Sequence, residues 1–155
     1  MESNSLYYTG KILTSLLGND IITKAISEGS NSIYNILYGI ENISNDDLNK
    51  FLIDIDIKAN IKIIECLINN LDPNLKGKAI HLALYQLHDI IIKIREILKQ
   101  ISIKNISHKE KWFHYFRKID FDKEIIQLNK FNQILDKRLD IFIKVIQIES
   151  YTFKK

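Results

Sequence analysis

The chain has 155 residues, with 22 Lys and Arg against 19 Asp and Glu for a formal net charge of +3, and that length suffices for one domain burying roughly two thirds of its unfolded surface. A single cysteine, Cys66, excludes an internal disulfide framework and a thiolate metal cluster, and no stretch approaches the roughly 18 unbroken apolar residues of a spanning helix. The opening MESNSLYYTGKILTS carries an early acid and no continuous apolar core or small-residue cleavage pattern, so the expectation is a cytoplasmic protein, soluble or peripheral to a membrane, without a secretory signal.

The first 40 residues hold five charges but four of the five glycines: Gly10, Gly18, Gly29 and Gly39. Apolar residues recur at helical spacing from Ile12 to Ile26 and again from Ile33 to Ile40. The pattern predicts a helix from Leu6 to Ser27, a break at Gly29-Ser30-Asn31-Ser32, and a short helix to Glu41. This charge-poor segment suits either a buried central helix or one that seeks a membrane.

Ser44 followed by Asp47 resembles a capping box and opens the next helix, which ends near Leu71, ahead of Asp72-Pro73. Leu48, Phe51, Leu52, Ile55, Ala59, Ile63, Cys66, Leu67 and Asn70 would share its inner face, with Cys66 a small buried residue. Within it, Ile53-Asp54-Ile55-Asp56-Ile57-Lys58 alternates with the period of a strand. The helical period of the flanks outweighs that short conflict.

The clearest signal follows. Ile80, Leu84, Leu87, Ile91, Ile94, Leu98 and Ile101 step 4-3-4-3-4-3, a seam three heptads long. It needs a long partner, either the last helix of the chain or a second subunit. Asn105-Ile106-Ser107 is expected to end it, and Ser107 with Glu110 to cap a short helix through Trp112, Phe113, Tyr115 and Phe116.

Asp120 then caps a final helix with Phe121, Ile125, Leu128, Leu135, Leu139, Phe142 and Ile146 on one seam, interrupted by Asn132. A second row of Phe131, Ile134, Ile141, Val145 and Ile148 widens that face into the broad stripe of a bundle helix. Residues Glu149 to Lys155 are expected to fray. The fold class is therefore all-α: one domain over residues 1–155, an antiparallel bundle of about four long helices with one or two short connecting helices.

Charge is divided at Pro73. Met1 to Asn74 carries 5 basic and 10 acidic residues, net −5, and Leu75 to Lys155 carries 17 and 9, net +8. Two readings fit: the halves pair within the bundle, or the basic half offers a surface to an external polyanion.

The residues speak for binding rather than catalysis. His81, His88, His108 and His114 lack metal-ligand spacing, and the pairs Asp46-Asp47 and Asp120-Asp122 stand at helix starts, where acids meet the positive dipole end. No glycine-rich phosphate loop, GxSxG elbow or nucleophile–base pairing is present, so a non-enzymatic protein with no cofactor, no metal and no small-molecule substrate is expected. The segment from Lys109 to Lys118 interleaves cations with aromatics, and Lys109, Lys111, Trp112, Phe113, Arg117 and Lys118 are the candidate membrane- or polyanion-binding residues. The alternative is that Trp112 and Phe116 close the end of the core while the cations face water.

From about Leu75 to Ile146 the layout resembles the HeLo and MLKL-type four-helix-bundle domains of cell death. The resemblance rests on Leu87-His88-Asp89-Ile90-Ile91 with Ile94-Arg95-Glu96-Ile97-Leu98, on Lys111-Trp112-Phe113, and on Ile125-Ile126-Gln127-Leu128 with Leu135-Asp136-Lys137-Arg138-Leu139-Asp140. It implies a bundle that self-associates and binds anionic lipid through basic residues. The sole valine, Val145, and the excess of Ile, Lys and Asn are similar to the usage of AT-rich genomes such as large DNA viruses. The expected function is thus a non-enzymatic helical-bundle interaction module with a protein partner or itself, associating with an anionic membrane. The alternative is a viral or compartment structural protein that binds nucleic acid through its basic half.

Overall fold

A computed structural model describes residues 18–40, 45–111 and 118–152. Their elements are all helical: α1 (Asn19–Ile40), α2 (Asp46–Asp54), α3 (Ile57–Asn69), α4 (Lys78–Lys109) and α5 (Asp122–Thr152). The heptad seam organises them. All seven of its residues, Ile80 to Ile101, are fully buried on α4, joined by Ala83, Ile90 and Ile97 on the adjacent row. That widened face lets α4 take two large neighbours, α5 on one side and α1 on the other, so the seam is satisfied within the chain. Burying each such side chain contributes about 1.5–3 kcal/mol.

Side-chain contacts fix the directions. Lys104 reaches Glu124 and Arg138 reaches Asp89, so α4 and α5 run antiparallel. Asn19 meets His81, and Gly29 meets Ile91, so α1 and α4 run parallel. Asn132 bonds the Ile55 carbonyl and Asn60 bonds Asp136, so the α2–α3 arm runs parallel to α5. Consecutive long elements therefore alternate up and down.

Four boundaries differ from the sequence reading. First, α1 continues through Gly29-Ser30-Asn31-Ser32 without a break. Gly29 and Ser30 are buried there, and a Cβ on Gly29 would lie 2.9 Å from Ile91 Cγ2. The small residues are a close helix approach and not a turn. The expected start at Leu6 lies outside the described residues.

Second, the helix expected from Ser44 to Leu71 is two. Asn45 supplies the cap: its Oδ1 accepts from Leu48 N at 2.9 Å, while its Nδ2 donates to Ile119 O; the expected cap Ser44 lies outside the described residues. The chain kinks at Asp56, which holds a left-handed backbone (φ 43°). The kink rotates the inner face onto Ile57, Ile61, Ile64 and Ile68, leaving Ile63 and Cys66 exposed instead of buried. The alternating Ile-Asp stretch marked this kink.

Third, α4 runs through Asn105-Ile106-Ser107 to Lys109, with Asn105 buried. Fourth, α5 continues through Glu149 to Thr152. Its seam is as expected at Phe121, Leu128, Asn132, Leu135, Leu139 and Phe142, but Ile141 and Ile148 of the second row face outward.

Candidate interaction surface

The Arg138 guanidinium knits the α4–α5 hairpin at mid-length. Its Nη1 donates to Gln86 O and, at 2.8 Å, to Asp89 Oδ2, which also receives Lys93 Nζ at 2.9 Å. Partial burial pushes the Asp89 carboxyl upward, but the hydrogen bonds and charges of Arg138 and Lys93 outweigh it and hold the group below its ordinary range. The neighbouring His88 is held low by burial, with the Asp89 charge opposing and Arg95 assisting. Near the end of the hairpin, Lys104 Nζ reaches both Glu124 oxygens at 3.2 and 3.1 Å and stands 5.4 Å over the Phe121 ring.

Among the described residues six ion pairs, from Asp89–Lys93 to Asp140–Lys144, all join residues of the basic half to one another. None of these six joins the acidic half to the basic half. Asp46, Asp47, Asp54 and Asp56 are exposed and make no ion pair among the described residues.

The candidate binding residues divide. Lys109 closes α4, and Lys111 and Lys118 lie in the connection to α5. All three are exposed, and none has an ion-pair partner among the described residues. Trp112, Phe113 and Arg117 lie outside the described residues. The packing seam is wholly interior. It is core and leaves no face for a second subunit.

Sequence reading missed what accompanies these lysines. Ile103 and Ile106 on the last turns of α4 are 61 % and 54 % exposed, and Ile126 near the start of α5 is 70 % exposed. The Lys104–Glu124 pair places them at the same end of the hairpin as Lys109, Lys111 and Lys118. Their signal was available, since none falls on the heptad row, but isolated exposed isoleucines are ordinary until a structure gathers them.

Two concave features stand out among the described residues. A shallow polar groove of about 580 Å³ between α1 and α4 is lined by Glu28, Asn31, Asn35 and Lys99, and a notch of about 440 Å³ beside the kink by Leu37, Leu52, Ile53 and Ile57. Among the described residues no three His, Cys, Asp or Glu side chains gather as a metal site, and no helix is long and apolar enough to cross a membrane. No protein-family model, curated protein or solved structure matches this chain.

Proposed function

We propose that the protein is a non-enzymatic helical-bundle interaction module that docks on an anionic membrane surface by the α4–α5 end of the bundle. The observation that carries this reading is the coincidence of Lys109, Lys111 and Lys118, exposed and without ion-pair partners among the described residues, with exposed Ile103, Ile106 and Ile126. Cations meet lipid phosphates while short apolar side chains enter the headgroup boundary. Trp112 and Phe113, between those lysines in sequence, add the residue types that favour such a boundary. The likeness in layout to HeLo and MLKL-type bundles is in keeping with this role.

Cosedimentation with vesicles containing phosphatidylserine, against vesicles of phosphatidylcholine alone, tests the proposal. Binding should require the anionic lipid and weaken with salt. At about 1 kcal/mol per lysine near the surface, K109E/K111E/K118E should lower partitioning by roughly a hundredfold. An absence of binding to anionic vesicles at low salt would overturn it, as would equal binding by the triple variant. Salt-sensitive affinity for nucleic acid without vesicle binding would assign the lysines to the other polyanion.

A further inference from the structure

The outer face of α5, opposite its core seam, has a pattern of its own. Lys130, Ile134, Lys137, Ile141, Lys144 and Ile148 step 4-3-4-3-4, the spacing that aligns residues along one helix face. The three lysines, Ile141 and Ile148 are exposed, Ile148 by 66 %, and Ile134 is half-buried. Lys144 is held by Asp140 at 2.6 Å. Lys130 and Lys137 have no ion-pair partner among the described residues. Asp136 on the flank is engaged by Asn60.

The chain carries a counterpart. On α2, Asp46, Asp47, Ile53 and Asp54 share an outer face, with Ile53 76 % exposed. Lys50 lies among them. Beside that face is the notch at the kink, where Leu37, Leu52, Ile53 and Ile57 are joined by Asn49, Asp56 and Lys58. Asp47 and Asp54 are seven residues apart, as are Lys130 and Lys137, so each pair spans about 10.5 Å along its helix. Two such helices laid side by side can match both charges at once, with Ile141 directed toward the notch.

We infer that the occupant of the α5 outer face is the α2 face of a second copy of this chain. The acidic half and the basic half, net −5 and +8, are then complementary between molecules. This surface is separate from the α4 seam, which the chain satisfies internally, and from the lysines proposed above to meet lipid.

Charge reversal with complementation is the test, read by sedimentation velocity over a range of protein concentration. The parent should associate at about 0.1 M salt and dissociate at about 1 M, where the screening length falls from about 10 Å to about 3 Å. K130E/K137E and D47K/D54K should each weaken association by roughly tenfold or more. An equimolar mixture of the two should associate again, because each supplies the charge that the other lacks. D47N/D54N, which removes charge without placing cations at the start of α2, should give a smaller loss and covers the case in which D47K/D54K does not fold.

A parent that stays monomeric at low salt overturns the inference. So does a mixture that fails to associate, or association unchanged in K130E/K137E. If K130E/K137E loses vesicle binding and the parent never self-associates, the α5 face belongs to lipid and the inference also falls. The lysines of the α4–α5 connection are intact in every one of these variants, so the membrane proposal stands or falls separately.

Discussion

The α4–α5 hairpin and the α2–α3 arm have similar apolar content, yet they are built differently. In the hairpin one unbroken period of apolar residues keeps a single face inward over three heptads, and charged side chains bond across the two helices at Asp89–Arg138 and Lys104–Glu124. In the arm the period changes phase at Asp56, the inner residues Phe51, Leu52 and Ile55 are only partly buried, and the acids are left facing outward. A consistent period yields a core, whereas a contested one yields a kink and spare surface.

Truncation should expose that contrast most strongly. Leu87→Ala, in the fully buried seam, should cost about 2–5 kcal/mol in chemical denaturation, because a cavity is added to the lost transfer energy. Phe51→Ala in the arm, where the ring is only partly buried, should cost less despite removing more atoms. Equal losses would show that the arm is as integral to the core as the hairpin.

Next in size is the ionic clasp. Arg138→Met should cost about 1 kcal/mol, since the pair is partly exposed and screened. It should also change the response to acid. The Asp89 carboxyl is lower in the folded state than in the unfolded chain, so its contribution is complete above the unfolded value of about 3.9 and fades as pH falls through the folded one. Acid unfolding of the variant should therefore depend less steeply on pH in that range, as Asp89→Asn should also show.

The smallest effect should have the opposite sign. Asp56→Gly relieves a left-handed backbone and should stabilise by up to about 1 kcal/mol, whereas Asp56→Ala should destabilise by a similar amount. If both are neutral in thermal unfolding, the kink is set by packing alone and carries no strain.

Much of this was legible because helical packing repeats. The seam from Ile80 to Ile101 needed nothing beyond its spacing, and Asn132 stood out as an interruption. What spacing could not supply was its cause: Asn132 Nδ2 donates to the Ile55 carbonyl at 3.3 Å, an acceptor freed by a kink 77 residues away in the chain. Gly29 and Ser30 misled for a related reason. Small residues serve turns and close helix crossings alike, and only the partner, Ile91, distinguishes them. Similarly Ser107 and Glu110 have the form of a capping box, but the core packing of α4 carries the helix through to Lys109. The basic connection was visible as composition, while its companions Ile103, Ile106 and Ile126 became a surface only once the hairpin folded.

Gly77, which precedes α4, brings no side chain of its own to cap the helix. The space its Cβ would fill holds the Glu149 carboxylate from the far end of α5, a negative group at the positive end of the α4 dipole. The last turns of α5 thus bring a carboxylate, with its Oε2 buried and accepting no hydrogen bond, against a helix start 72 residues earlier in the chain. Opening of one end should then be felt at the other: amides in the first turn of α4 and the last turn of α5 should exchange with solvent as one cooperative unit, and Glu149→Gln should accelerate both together.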